Sequence, residues 1–364
     1  MLRLQVVVVT FDSLPTSHLG CYGSEWVETP QLDALAAESA VFDSHFGTDF
    51  CELESQSTLR YAWKTGSRAG WAADNQASFT DNLQTAGVDV KIIEEASFAD
   101  CSFPLTTVMD EAKAWLQSTN ANSDWLLWLL VEGLSSNSVC PAEYAEIYEE
   151  DFTDDDELRL ASAAYVSYAD QLIGGLLQAS RTPSSNSPAI VVAAARGIDA
   201  EAPDQIQGPQ LALSEAFMRT PMIIHDPSSN VLHGNRCPAL TQTIDLPATI
   251  LDLFQIPDHP QESQSLLPLI RGETTKHREE LLMTRSQSNW TSIRTTDWHY
   301  IEDLTDVDLA ELDHDELPMN SWLFSKPEDV WDCQDVKADF FEIVMKFSTR
   351  LRKLLNSHNL HRRE

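Results

Sequence analysis

Apolar residues follow two different spacings along the first two-thirds of the chain. Short, nearly continuous apolar runs are typical of buried strands, and the segments between them carry apolar residues at helical spacing. The runs predict strands at residues 6–11, 88–93, 125–131, 189–194 and 222–224, and the spacing predicts helices at 29–37, 81–86, 107–117, 158–179 and 244–254. Because buried strands that alternate with helices are typical of a mostly parallel sheet between helices, the pattern predicts an α/β fold.

The pattern changes after Gly272. Short strands of a small antiparallel sheet are predicted at residues 279–284, 291–295 and 298–301. Residues 340–355 predict a closing helix, and basic residues recur through 346–363, so this amphipathic segment could dock on an acidic partner or on the acidic body of its own chain. The predicted organisation is therefore a large α/β domain at 1–275 and a small α+β subdomain at 276–364.

The composition of the chain is strongly acidic. The 364 residues include 24 Lys and Arg against 57 Asp and Glu, a formal net charge of −33. Nucleic acid and anionic membranes are poor partners for such a chain, because both are bound through basic surfaces. The six cysteines lack CxxC pairs or dense spacing, which argues against a zinc cluster or a disulfide framework. Neither a signal-peptide pattern nor a membrane-spanning run is apparent, so we expect a cytoplasmic location.

Five segments carry motifs, in order along the chain. They are VVVVTFDSLPTSHLGCYG with TPQLDALAAESAVFDSHF, RYAWKTG at 60–66, the helical segment 161–177, Glu215 followed by MRTPMIIHDP and IDLPATILDLFQIP, and SIRTTDWHYI followed by LFSKPEDVWDCQDV. Together these segments resemble the sulfatase branch of the alkaline phosphatase superfamily over nearly the whole chain. The resemblance implies the fold of that family, with its mostly parallel sheet and small C-terminal antiparallel sheet and helix.

The resemblance also implies a chemistry, metal-dependent hydrolysis of sulfuric esters. In the family, a Cys or Ser in a Cys-x-Pro-Ser-Arg signature becomes formylglycine, whose hydrate attacks the sulfur. A divalent cation is held by two adjacent N-terminal Asp residues and a later Asp-His or Asp-Asn pair. Basic side chains neutralise the sulfate and protonate the leaving group.

At most of the positions that match these roles, this chain has a residue different from that of the family. Counting back from Thr65-Gly66, the signature Arg is Arg60 and the nucleophile position is Gln56, which cannot become formylglycine. Asp12 matches the first metal ligand. The other ligand positions hold Ser13, Ala195 and Arg196.

These replacements argue against a bound metal. One carboxylate does not hold Ca²⁺ or Mg²⁺, which need several oxygen ligands, so no cofactor is expected unless the site has been rebuilt. A guanidinium at position 196 would repel a cation, and we expect Arg196 to pair with Asp12 in the place of the ion.

The sequence therefore predicts a degenerate sulfatase-like protein that has lost catalysis. Its partner would be a protein or a small anionic ligand, with Arg60 and Arg196 as candidate anion-binding side chains. Arg60 is equally compatible with a structural pairing to Glu52 or Glu54.

An active ester hydrolase with a rebuilt site is the alternative. It would combine Asp12, Ser13, Arg60 and a hydroxyl from Ser57 or Thr58 with a displaced histidine, His18 or His45. An unmodified hydroxyl needs a neighbouring base. This alternative therefore requires one of the two histidines to lie near Asp12.

Overall fold

The structure of the chain is a computed structural model. It describes residues 3–50, 56–67, 78–119, 122–134, 138–149, 157–181, 187–197, 212–227, 234–257, 259–285, 288–305, 307 and 317–357. Within these ranges, no helix combines the length and the apolar character needed to cross a bilayer.

A seven-stranded sheet forms the centre of the molecule. In spatial order its strands are β5 (Asp89–Glu94), β6 (Trp125–Gly133), β1 (Gln5–Ser13), β7 (Ala189–Arg196), β8 (Met222–His225), β2 (Ala40–Phe42) and β9 (Asn235–Cys237). The first four strands are parallel to one another, whereas β8 is antiparallel to both of its neighbours. All nine residues of the central strand β1 are buried, as expected for a sheet covered on both faces.

Helices cover the two faces of this sheet. One face carries α1 (Pro30–Ala37), α4 (Pro104–Ser118), α5 (Ala142–Ala145) and α6 (Glu157–Ser180), and the other carries α2 (Gln56–Thr65), α3 (Phe79–Thr85), α8 (Leu246–Leu253) and α9 (Leu267–Ile270). Successive side chains of a strand point to opposite faces. Val6 and Val8 of β1 pack under α2, so Asp12, which has the same parity, belongs to that face.

Local sequence explains where several helices begin. Proline occupies the first turn of α1 and α4, where its missing N–H leaves no hydrogen bond unmade. Ser78 precedes α3 and forms a capping box with Asp81, which satisfies two backbone N–H groups.

A second, five-stranded sheet has the order β14 (Ser321–Ser325), β13 (Trp298–Asp303), β12 (Trp290–Arg294), β11 (Leu281–Arg285) and β4 (Asp49–Phe50). Strands β11 to β14 are antiparallel. β4 comes from the N-terminal part of the chain and pairs in parallel with β11. A short parallel pair, β3 (His45–Phe46) with β10 (Thr241–Gln242), and the helix α7 (Glu215–Met218) lie in the first two-thirds of the chain.

The closing helix α10 (Phe341–Ser357) packs on the second sheet of its own chain. Val344, Phe347 and Leu351 share a buried cluster with Ile293 and Tyr300. Arg352 Nη2 also lies 3.4 Å from Glu302 Oε1. The apolar face of this helix therefore packs on the chain itself, and docking of its basic residues on an acidic partner stays a prediction.

The predicted fold class is confirmed: a mostly parallel sheet between helices, with a small antiparallel sheet and helix at the C-terminus. The strands that were not predicted are β2, β3, β4, β9, β10 and β14. The other C-terminal strands differ from prediction by one or two residues at their ends. The division into domains at 1–275 and 276–364 stays a prediction.

Candidate functional site

The carboxyl ends of β5, β6, β1 and β7 meet at one edge of the central sheet. The register pairs Ser13 of β1 with Gly133 of β6 on one side and with Arg196 of β7 on the other. Ligands of open α/β sheets bind outside the carboxyl ends of the strands. Asp12 stands one residue before the end of β1, so it lies at the middle of this edge.

Arg60 of α2 holds Asp12 in a two-pronged ion pair. Arg60 Nη2 lies 2.9 Å from Asp12 Oδ2, and Arg60 Nε lies 3.2 Å from Asp12 Oδ1. The two side chains are only 7% and 5% exposed. Two parallel charge-assisted hydrogen bonds in a buried setting form one of the stronger ion-pair geometries in proteins.

Glu94 at the end of β5 extends this pair into a network. Arg60 Nη1 lies 3.2 Å from Glu94 Oε2, and Lys64 Nζ lies 3.5 Å from Glu94 Oε1. The Glu94 and Lys64 side chains are more than one-third exposed, so this outer part of the network is solvated and contributes little to stability.

Burial governs the protonation of Asp12. It raises the pKa of Asp12 to about 6, although the hydrogen bonds and the positive charge of Arg60 lower this pKa. Glu132 at the end of β6 raises this pKa further, and the charge of Arg196 lowers it. The carboxylate is therefore close to its titration range near neutral pH.

A second buried carboxyl group, Glu95, lies at the same edge. Its Oε2 accepts a hydrogen bond of 2.8 Å from the backbone N–H of Glu132. Burial raises the pKa of Glu95 to about 7, and the charges of Glu132 and Asp12 act in the same direction. Among the described residues, four carboxyl groups lie near this edge, Asp12, Glu94, Glu95 and Glu132, and Arg60 and Lys64 form ion pairs with two of them.

The other predicted site residues occupy this edge without forming a ligand set. Ser13 is fully buried, and its Oγ donates a long hydrogen bond of 3.4 Å to the carbonyl of Gly197. Ala195 and Arg196 are buried at the end of β7. Gln56 is the first residue of α2, one helical turn before Arg60, while Glu52 and Glu54 lie outside the described residues.

The expected pairing of Asp12 with Arg196 is wrong, because the partner is Arg60. Arg196 is in register with Ser13, and paired residues of neighbouring strands point to the same face of a sheet. Its side chain therefore leaves β7 on the face opposite Asp12. It influences Asp12 through its charge.

The two candidate histidines have other partners. His18 Nε2 lies 2.7 Å from Ser162 Oγ of α6, and its ring packs edge-on against Trp26, on the face of the sheet opposite α2. His45 Nδ1 lies 2.9 Å from Thr241 Oγ1, and burial lowers the pKa of His45 to about 3. The convergence on Asp12 that the rebuilt site requires is not found.

The sulfatase family model matches residues 5–101 and 104–256 of the chain. The chain therefore belongs to the sulfatase family. No protein of curated function matches it significantly.

Solved structures share the fold over nearly their whole length. A Bacteroides thetaiotaomicron protein of glycosaminoglycan metabolism is 12% identical with a TM-score of 0.77, over 98% of this chain and 97% of that chain. A protein bound to its substrate D-glucosamine-2-N,6-O-disulfate is 14% identical with a TM-score of 0.73, over 99% of each chain. Phosphonate monoester hydrolase of Agrobacterium radiobacter is 14% identical with a TM-score of 0.72, over 98% and 96%.

The positions that resemble the family's metal ligands do not fit the cation that the family uses. Both oxygens of Asp12 accept hydrogen bonds from Arg60, and the remaining ligand positions carry Ser13, Ala195 and Arg196. A Ca²⁺ or Mg²⁺ ion needs several oxygen ligands, and a buried guanidinium at this distance opposes any cation.

Sequence reasoning missed three carboxylates of the site, Glu94, Glu95 and Glu132. The sequence contained a signal for them: acidic residues follow two predicted parallel strands, and the carboxyl ends of such strands meet at the same edge of the sheet. The order in which β5 and β6 lie beside β1 was needed to bring them to Asp12.

Proposed function

We propose that this sulfatase-family protein has lost hydrolysis of sulfuric esters and acts as a binding or scaffolding protein. The observation that carries the proposal is the two-pronged Arg60–Asp12 pair at the carboxyl edge of the sheet. It engages the one family metal ligand that this chain retains.

The pair resists replacement by a metal ion. To bind a cation, Asp12 would have to leave Arg60, and this would leave a guanidinium buried beside the incoming ion. Removing one partner from a buried ion pair costs about 3–5 kcal/mol in typical proteins. A cation with one carboxylate ligand does not offset such a cost.

The nucleophile position supports the same conclusion. Gln56 lies four residues before Arg60 on α2, at the spacing of the family signature. A carboxamide neither becomes formylglycine nor attacks an ester, so the altered nucleophile and the altered metal site point in the same direction.

The charge at the edge favours a protein partner over a polysulfated one. Arg60 uses its Nε, Nη1 and Nη2 atoms on Asp12 and Glu94, which leaves its positive charge compensated. Carboxyl groups are in the majority at this edge, which disfavours the binding of a small anion. A cytoplasmic location and a lack of affinity for nucleic acid and membranes stay part of this proposal.

Ester hydrolysis tests the proposal directly. The substrates are an aryl sulfate, an aryl phosphate and an aryl phosphonate monoester, chosen because structural neighbours act on sulfated sugars or phosphonate monoesters. We expect the wild type, with added Ca²⁺ or Mg²⁺, to release no more product than its Asp12→Ala variant. Metal-dependent release that is lost in Asp12→Ala would overturn the proposal.

A second candidate, a hydrolase with a rebuilt site, has one observation in its favour. Burial raises the pKa values of Asp12 and Glu95 to about 6 and about 7, the range in which a carboxyl group can act as a general acid. This candidate predicts turnover that requires no metal and is lost in Glu95→Gln. The same assay, run without metal, distinguishes it from a binding protein.

A further inference from the structure

A second buried cluster of charged side chains is built from α7, the second sheet and the loop after β14. Three segments converge there: Glu215 comes from α7, His299 from β13, and Asp332 from the loop after β14. One potential ligand atom from each lies within 4.8 Å of the others. The exposed fractions of these residues are 7%, 0% and 3%.

This set of atoms resembles the ligands of a transition-metal site. Nitrogen from imidazole and oxygen from two carboxylates are common ligands of Zn²⁺ and related ions. Two ligand atoms of a tetrahedral zinc ion at about 2.0–2.2 Å lie about 3.3–3.6 Å apart, so the three ligand atoms would have to approach one another by up to about 1.5 Å.

The ammonium group of Lys326 already lies among these ligands. Lys326 Nζ is 2.7 Å from Asp332 Oδ1 and 3.3 Å from Glu215 Oε2. It also donates to the backbone carbonyls of Asp329 and Val330. Lys326 is 3% exposed, so its positive charge is surrounded by oxygen atoms and shielded from solvent.

The charges of the cluster balance with the ammonium in place. Asp332 and Glu215 are opposed by Lys326 and by Arg294, whose Nε lies 3.5 Å from Glu215 Oε2. Loss of the ammonium would leave one buried negative charge without compensation, which favours uptake of another cation.

The imidazole of His299 is also suited to a metal. Its Nδ1 lies 3.0 Å from Asp332 Oδ2, and its other nitrogen, Nε2, is buried without a hydrogen-bond partner. When Nδ1 carries the proton, Nε2 has a lone pair that it can offer to an ion.

We propose that Glu215, His299 and Asp332 form a cation site that the ammonium of Lys326 fills, and that an apolar residue at position 326 converts it into a site for one divalent transition-metal ion. The ammonium then explains why ligands from α7, β13 and the loop after β14 can be buried together without a metal.

Cobalt binding to the full-length chain tests this proposal. The proteins are wild type, Lys326→Met and the double variant Lys326→Met with His299→Ala, each stripped with a chelator and titrated with Co²⁺. We expect Lys326→Met to bind one equivalent and to develop the visible absorption of protein-bound cobalt. The double variant should bind at least about tenfold more weakly, because it lacks one ligand.

The controls separate the possible outcomes. If wild type shows the same cobalt absorption as Lys326→Met, the ammonium does not fill the site and the proposal fails. A folded Lys326→Met protein without that absorption overturns it as well.

If Lys326→Met fails to fold without metal, near-ultraviolet circular dichroism after addition of Zn²⁺ decides the matter, since metal binding is then coupled to folding. Recovery in Lys326→Met but not in the double variant supports the site. Lack of recovery in both overturns it.

Discussion

Arg60 and Asp12 are 48 residues apart in the chain and form two hydrogen bonds, of 2.9 Å and 3.2 Å, at the carboxyl edge of the central sheet. The family uses the corresponding aspartate to hold a metal ion. Here Arg60, which the resemblance matches to the Arg of the family signature, pairs with this carboxylate, so the two side chains hold each other in place.

Removal of Arg60 should destabilise the protein strongly. Arg60→Ala would leave Asp12 buried without its partner, and we expect the free energy of unfolding to fall by about 3–5 kcal/mol in urea denaturation. The double variant Asp12→Asn with Arg60→Met is the matched control, because it removes both charges, and it should lose less stability than Arg60→Ala. Equal losses would show that packing, and not charge pairing, dominates at this position.

Glu95 should make the protein less stable as the pH rises. Its pKa is raised from 4.5 to about 7 in the folded chain, so between these values the folded state binds more protons than the unfolded state. The free energy of unfolding then decreases with rising pH across this window, by up to about 3 kcal/mol from this group.

The matched variant for this pH dependence is Glu95→Gln, which keeps an oxygen acceptor for the backbone N–H of Glu132. Denaturation at several pH values from 4.5 to 7 should show a shallower decline than in wild type. Parallel curves for the two proteins would contradict the prediction.

Gly133 should tolerate no side chain. Its φ is +74°, and a Cβ atom built there would lie 2.0 Å from the carbonyl oxygen of Ser13, a backbone atom that cannot move aside easily. Gly23 also has a positive φ, +102°, but nothing lies within 4 Å of a Cβ atom there.

The two alanine variants therefore separate steric overlap from backbone strain. Gly23→Ala should cost about 1–2 kcal/mol, the usual penalty of a left-handed conformation. Gly133→Ala should cost clearly more, measured as the loss of unfolding free energy. Similar costs at both positions would show that β1 and β6 can separate at this edge.

The closing helix should depend on its apolar face. Leu351 is fully buried in the cluster beneath α10, and Leu351→Ala should cost about 2–5 kcal/mol of unfolding free energy. Lys353 is exposed on the same helix, so Lys353→Ala is the control and should stay within about 0.5 kcal/mol of wild type. A small effect of Leu351→Ala would show that the helix does not contribute to the stability of the fold.

Local spacing was sufficient to predict most of the central sheet. The runs that became β1, β6 and β7 are apolar along their length because both faces of the sheet are covered, and this property is visible in the sequence. The two-residue strand β4 was missed, because a segment so short has no periodicity and owes its pairing to β11.

The amino-acid sequence alone determined the class of the fold and the resemblance to sulfatases, because these depend on local patterns and on residue identity. Tertiary structure decided which cation neutralises Asp12, the approach of Glu94, Glu95 and Glu132, and the enclosure of Lys326 by Glu215 and Asp332. Most of these contacts join residues distant in the chain, although Lys326 and Asp332 are only six residues apart. Strand order, register and the face from which a side chain leaves its strand set such contacts, and none of the three is encoded in local spacing.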